Sequence, residues 1–301
     1  MFSRETAAVP RVTVPLRRPG GRGPSRLRAR KRRMNPVRAQ DYWTESLARW
    51  AIPPEILEQG GESPWALPPW AFAESARLAL SQPLTPTHLL ALEVLPPGGH
   101  VLDVGAGAGA ASLPLSERAA EIVAVDQSRE MLREFSDLAA ERVPVVTIEG
   151  TWPEAAGMVA VADVVVCANV AYNVPALGDF VVALTQKARA KVVMELTGAH
   201  PQSSLNWLWK HFWDLNRPEV PTADDAAAVV REATGLEVTV VAWPGREPLA
   251  DRFGDEGVAW IRRRLCLPPS RDEELAQLLR SQDRPGRTAM VTLAWAGRGQ
   301  G

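Results

Sequence analysis

The chain has 301 residues, 46% hydrophobic and 23% charged, enough apolar matter for a substantial core and unlike a disordered, collagen-like or disulfide-stapled sequence. A net charge of −1 hides an asymmetry: residues 1–33 hold eleven Arg or Lys and one acid, net +10, and the other 268 residues are net −11. The sequence is a basic tail on an acidic body.

The tail, residues 1–37, carries Pro10, Pro15, Pro19 and Pro24 with Gly20, Gly21 and Gly23 and has no sustained apolar period, so it is expected to be disordered. Three readings fit it: an arm for RNA or another anionic surface, an organelle transit peptide, or a leader upstream of a true start at Met34. The last is the simplest, because amphipathic patterning begins a few residues after that methionine.

Residues 38–99 predict a helical preface. Asp41 to Ala51, Pro69 to Leu80 and Thr85 to Leu95 have helical spacing and are broken by Pro53-Pro54 and Pro68-Pro69. From 100 to 297 the pattern becomes short β-rich runs alternating with amphipathic segments, which predicts an α/β domain with a parallel sheet covered on both faces.

The runs are Val101–Val104, Glu121–Val125, Val143–Ile148, Asp163–Ala168 and Lys191–Leu196, nearly continuous in apolar residues. Between the second and third, Ser128 to Arg142 places Met131, Leu132, Phe135, Leu138 and Ala139 at helical spacing; after the fourth, Ala176 to Ala188 does the same with Leu177, Phe180, Val181 and Leu184. A further helix is expected from Thr222, capped by Asp225, before two late strands, Leu236–Trp243 and Thr288–Trp295, suited to pairing antiparallel. Helices Gly257–Leu265 and Asp272–Leu279 form an insertion at about 250–282.

Cys167 and Cys266 are far apart in sequence and make no C-x-x-C pair, which points to a reducing, cytoplasmic compartment without a disulfide framework. The longest nearly apolar stretch, Met158 to Tyr172, contains Asp163 and Asn169 and is too short for a bilayer span. His88, His100, His200 and His211 have no metal-ligand spacing, and no metal is expected.

The informative segment is Val101-Leu102-Asp103-Val104-Gly105-Ala106-Gly107-Ala108-Gly109-Ala110. It reads as a strand running into a glycine turn that opens a helix containing Leu113 and Leu115, with room for a ligand against the backbone. Strand two ends at Asp126, placed to accept both hydroxyls of a ribose. Gly105, Gly107 and Ala110 also satisfy a G-x-G-x-x-A dinucleotide pattern, so glycine spacing alone leaves a nicotinamide cofactor open. Asp103 separates the two: a carboxylate inside the first strand repels a pyrophosphate and suits a ligand bearing an ammonium and a sulfonium.

These residues resemble the class I S-adenosylmethionine-dependent methyltransferases, over about Val101 to Trp295. The motifs are Val-Leu-Asp-Val-Gly-Ala-Gly-Ala-Gly, Val-Ala-Val-Asp126 followed by Ser128-Arg129-Glu130-Met131-Leu132, and the closing pair of strands. The resemblance implies a doubly wound, mainly parallel seven-stranded sheet of order 3-2-1-4-5-7-6 with strand seven antiparallel, and S-adenosyl-L-methionine as cofactor. It implies cofactor contacts from Asp103, Gly105, Ala106, Gly107, Asp126, Gln127, Thr151, Trp152 and Asn169. Gly150-Thr151-Trp152 departs from the family's usual Gly-Asp after strand three, leaving Thr151 to accept a hydrogen bond and Trp152 either to pack on the adenine or to serve as a core or rim aromatic.

Asn169-Val170-Ala171-Tyr172-Asn173-Val174 resembles the corresponding segment of small-molecule methyltransferases of the quinone-biosynthesis type. Tyr172, Asn173 and His200 are the polar groups at the carboxyl ends of strands four and five and are the candidate acceptor-side residues. No triad is needed, since a sulfonium is a good leaving group and positioning supplies most of the barrier reduction. Trp43, Trp50, Trp65 and Trp70, and Trp207, Trp209 and Trp213, line an acceptor pocket or, more simply, cement the preface to the body. Three other functions stay open: a nucleic-acid methyltransferase using the 1–33 tail, a non-catalytic cofactor-binding scaffold, and a nicotinamide dehydrogenase.

Overall fold

The computed structural model describes residues 38–61, 63–64, 69–245, 249–280 and 289–300, without the side chains of 69 and 249–253. The basic tail, Trp65 and the predicted strand start at Thr288 lie outside the described residues.

Seven strands form one sheet: β1 (Gly99–Val104), β2 (Ala119–Asp126), β3 (Val145–Glu149), β4 (Ala162–Ala168), β5 (Ala188–Thr197), β6 (Thr239–Trp243) and β7 (Met290–Ala296). Their order is β3-β2-β1-β4-β5-β7-β6. The first five run parallel, and β7 lies antiparallel between β5 and β6. This is the predicted α/β topology.

Apolar residues on both sides of the central strands give the sheet two cores. Leu102, Val104, Val165 and Met194 face one; Val101, Val164, Val166 and Val193 face the other. Strand β3 departs from the expectation of double burial: it is the sheet edge, and Val146 is 45% exposed. A continuous apolar run does not by itself report whether a strand has one neighbour or two.

Among the described residues, four preface helices come first: α1 (Ala39–Ala48), α2 (Pro54–Leu57), α3 (Pro69–Ser81) and α4 (Pro86–Leu92). Proline opens three of them at a position whose N–H has no intrahelical partner. Next are α5 (Arg129–Ala139), α6 (Leu177–Lys187), α7 (Asn206–Trp213), α8 (Ala223–Thr234), α9 (Leu249–Arg264) and α10 (Asp272–Arg280). Helix α8 starts as expected: Thr222 and Asp225 form a capping box, with the Asp225 carboxylate accepting from Thr222 N–H at 2.7 Å.

Helices α6 and α8 cover one face of the sheet together with Trp43 of α1; α5 and the C-terminal end of α4 cover the other. The insertion helices α9 and α10 build a separate core with α7, around Trp209, Ile261, Leu265 and Leu275. No described helix is long and apolar enough to cross a membrane.

One local expectation fails. The glycine turn does not open an α-helix; the chain makes a single 3-10 turn at Leu113–Leu115 and reaches β2 at Ala119. Pro114 interrupts the hydrogen-bonding pattern, and few residues separate the turn from the strand. The helix N-terminus on which a dinucleotide pyrophosphate would rest is therefore absent among the described residues.

Candidate functional site

The carboxyl ends of β1, β2, β4 and β5 converge around the glycine turn. Gly105 N–H and Ala106 N–H both donate to Val125 O, at 2.8 and 3.1 Å, and bring the turn onto the end of β2. Gly105 has φ +68°, and a Cβ placed there would lie 2.3 Å from Val170 Cγ2. Only glycine satisfies both the backbone conformation and the space.

Asp103 alternates with the apolar residues of β1 and faces the α5 side, fully buried. Its Oδ2 accepts from Ser112 Oγ at 2.6 Å, while Oδ1 is buried with no partner. Burial pushes its pKa up to about 7; the Ser112 hydrogen bond opposes that, and the nearby Asp126 charge adds to it. A buried carboxylate with one oxygen idle under a glycine turn fits a ligand that brings a cationic donor.

Asp126 ends β2 and already holds two backbone groups: Oδ2 accepts from Gly107 N–H and Oδ1 from Ser128 N–H, both at 2.8 Å. It therefore caps the turn and the start of α5, yet each carboxyl oxygen keeps a further lone pair for a diol. Gln127 follows, exposed. Gly150 N–H donates to Asp126 O at 2.9 Å, drawing the end of β3 alongside.

Thr151 is exposed there and donates to Glu154 Oε2 at 2.9 Å. A carboxylate thus stands beside the place where the resemblance anticipated one, three residues further along the chain. Trp152 is half-buried against the core, its indole N–H donating to Phe180 O at 3.3 Å. Asn169, exposed at φ +60°, ends β4 and donates its N–H to Glu195 O at 2.8 Å.

Of the candidate acceptor-side residues, Tyr172 and His200 come together and Asn173 does not join them; Asn173 is exposed at the end of a short 3-10 turn. The Tyr172 and His200 rings meet edge to face at 5.3 Å, and Tyr172 stacks on Trp43 at 5.4 Å. Tyr172 donates to Thr197 O at 2.7 Å, and burial holds its hydroxyl far above the ordinary phenol range. His200 Nδ1 accepts from Gln202 N–H at 3.3 Å, and its ring lies flat on Trp50 at 3.8 Å. Burial, then the charges of Arg217 and Arg264, lower its pKa to about 3. Neither group is a ready base at neutral pH.

The tryptophans act mainly as anchors. Trp43 Nε1 donates to Val174 O, Trp50 Nε1 to Val220 O and Trp213 Nε1 to Leu265 O.

The family comparison supplies the remaining observation. Residues 101–190, from β1 to the start of β5, match the family model described as a methyltransferase domain. Over those residues the chain is similar to a methyltransferase domain. No curated protein matches the sequence.

Among solved structures, the chain is similar to an S-adenosylmethionine-dependent methyltransferase from Thiobacillus denitrificans in complex with S-adenosyl-L-homocysteine. The identity is 20% and the TM-score 0.47, over 77% of this chain and 99% of that one. A protein from Geobacter sulfurreducens with the same description and ligand gives 20% and 0.46, over 77% and 99%. A cyclopropane-fatty-acyl-phospholipid synthase-like protein from Lactobacillus casei gives 16% and 0.48, over 85% and 98%.

Within the methyltransferase domain, sequence reading missed Ser112, Val170 and Glu154; outside it, it missed Phe72 and Arg217. Ser112 lies buried in the apolar stretch after the glycines and Glu154 opens a short 3-10 helix, neither within a motif, and Phe72 and Arg217 reach the site only through tertiary packing. A Cβ at Gly107 would meet Phe72 at 3.4 Å, so α3 of the preface is seated on the turn of the methyltransferase domain.

Proposed function

We propose that the protein transfers the methyl group of S-adenosyl-L-methionine to a small-molecule acceptor. The reading is carried by Asp103: a fully buried carboxylate with an unpartnered oxygen, directly before the glycine turn.

When bound, the cofactor supplies an electrophilic sulfonium methyl for in-line displacement. In this assignment Asp103 takes the ammonium of the methionine portion, Asp126 the ribose hydroxyls, and Glu154 with Thr151 the adenine amino group. Gln127 and Asn169 border the same cradle. Phe72 and Val170 lie over the turn and keep water out.

Tyr172 and His200 form the acceptor wall. Held in their neutral forms, they orient the acceptor rather than deprotonate it. The chemistry therefore favours an acceptor that is already nucleophilic. A nicotinamide reading loses support, because the turn leads into a 3-10 turn rather than a helix. Free, buried Cys167 and Cys266 support a reducing, cytoplasmic setting.

Calorimetric titration of the full chain with S-adenosylmethionine and with S-adenosylhomocysteine tests the assignment. Both are expected to bind, more weakly as pH falls below 7, because Asp103 must give up its proton to receive the ammonium. No binding of either compound at pH 8 overturns it.

A further inference from the structure

Beyond Tyr172 the character of the site changes from acidic to basic. Arg217 is only 9% exposed. Its guanidinium lies between two indoles, with Cζ 5.2 Å from the Trp50 ring centre and 5.0 Å from that of Trp209. It donates to Ala51 O at 2.9 Å and to Trp50 O, while its Nε is buried without a partner. Trp209 Nε1 beside it is also a buried donor with no acceptor.

Arg264, at the end of α9, has its Cζ 4.8 Å from the Trp260 ring centre and a buried, unpartnered Nε. That end of α9 is fixed to α7 through Trp213 Nε1 and Leu265 O, 2.7 Å apart. Among the described residues, neither arginine makes an ion pair. Burial lowers the pKa of both. Cys266 is close enough to feel Arg217, but burial raises its thiol pKa and keeps it protonated.

Arg217 and Trp209 thus hold idle donors beside the Trp50 indole on which His200 stacks, the charge of Arg264 is felt at the same imidazole, and neither arginine has a counter-charge among the described residues. A buried, uncompensated charge is costly, and an arginine cannot relieve the cost by losing its proton. What relieves it is an anion with acceptor oxygens.

We propose that Arg217 and Arg264 form a seat for a carboxylate on the acceptor side of the site, so that the protein takes small organic acids. The seat is placed on the acceptor side by His200, which stacks on Trp50 and meets Tyr172, two residues after the Val170 that touches the glycine turn. The substrate assignment rests on the methyl-transfer reading; the anion seat itself does not.

The full chain without cofactor is titrated with benzoate, benzamide and inorganic phosphate. Benzoate is expected to bind at least about ten-fold more tightly than benzamide, which lacks the charge, and more tightly than phosphate, which has no ring to pack on the Trp50 and Trp209 indoles. Arg264→Gln is expected to weaken benzoate about ten-fold with an unchanged circular dichroism melt. Arg217→Lys keeps the charge but loses the fork, and is expected to weaken it by about five-fold.

Benzamide binding as tightly as benzoate, or Arg264→Gln leaving benzoate untouched, overturns the seat. Phosphate binding as tightly as benzoate reduces it to a site for free anions and overturns the carboxylate assignment. Failure of S-adenosylhomocysteine to bind the same preparation, with benzoate selectivity intact, removes the methyl-transfer reading and leaves the seat standing.

Discussion

At the glycine turn the buried group without a full set of partners is an acid, Asp103, whereas past Tyr172 it is a pair of bases, Arg217 and Arg264. The same physical cause acts on both: removal from water disfavours the charged form, raising the pKa of Asp103 and lowering those of the arginines and His200. The outlets differ. Asp103 at about 7 can carry a proton when nothing cationic is bound. Arg217 stays charged and is held by π faces and main-chain carbonyls instead. One end of the site can switch its charge with pH and the other cannot, so a cationic donor and an anionic acceptor meet protein groups of opposite sign and different responsiveness.

The largest expected effect comes from Gly105, where β1 turns toward both regions. Gly105→Ala combines a positive φ, costing about 1–2 kcal/mol, with a Cβ 2.3 Å from Val170 Cγ2, costing about 1–3 kcal/mol. Urea unfolding is expected to show a loss of about 3 kcal/mol, and adding Val170→Ala recovers the steric part and leaves the conformational part. A neutral Gly105→Ala contradicts the turn geometry that places Val170 between the two regions.

Asp103→Asn comes next and sharpens the contrast directly. The folded pKa of about 7 exceeds the ordinary 3.8, so the native state holds the proton more tightly. The wild-type chain is most stable, as far as this group is concerned, below about pH 4 and loses that contribution as pH rises to 7. The variant is expected to remove this slope and to be about 2 kcal/mol more stable at pH 8, while binding S-adenosylmethionine at least about ten-fold more weakly. A variant that is less stable at pH 8, or that binds the cofactor equally well, breaks the assignment of Asp103.

His200→Phe tests the basic end with the opposite sign. His200 is neutral in the fold, with a pKa of about 3 against 6.5. Its contribution is complete above pH 6.5 and is lost as pH falls toward 3. The phenyl ring keeps the stacking on Trp50 and loses the acceptor for Gln202 N–H, about 1 kcal/mol at pH 7. Melting curves are expected to cross: wild type is the more stable at pH 7, and the variant at pH 4. Parallel pH profiles for the two proteins contradict the lowering of this ring's pKa by burial and by the charges of Arg217 and Arg264.

Much of this was legible in the sequence, for specific reasons. Runs such as Val164–Cys167 are apolar on both faces, which only a covered parallel sheet tolerates, and Thr222 with Asp225 announced α8 through local hydrogen bonding. The positions of Asp103 and Asp126 were legible because they follow from backbone neighbours along two adjacent strands. The helix expected after the turn does not form because Pro114 and the short distance to β2 outweigh the glycine spacing. Arg217 was invisible for another reason: residues 166 and 167 positions away supply its carbonyl partners, and no period or motif encodes a contact of that range.

Phe72 belongs with Arg217 in that respect, and gives the smallest expected effect on cofactor binding. It is half-buried, 3.4 Å from where a Gly107 Cβ would be, and packs with Ala73, Ala76 and Ala108. Removing a half-buried ring gives up only part of its transfer energy, so Phe72→Ala is expected to cost about 1–2 kcal/mol in urea unfolding. The more telling readout is hydrogen exchange. If α3 shields the acidic end from water, amides of residues 105–110 exchange faster in the variant, and S-adenosylhomocysteine binds about five-fold more weakly because Asp103 gains solvent to compete with the ammonium. Benzoate binding at Arg217 and Arg264 is expected to stay the same, since α3 covers only the turn. Equal loss at both ends would show that the preface stabilises the site as a whole, and the distinction between the two regions would then be one of charge alone.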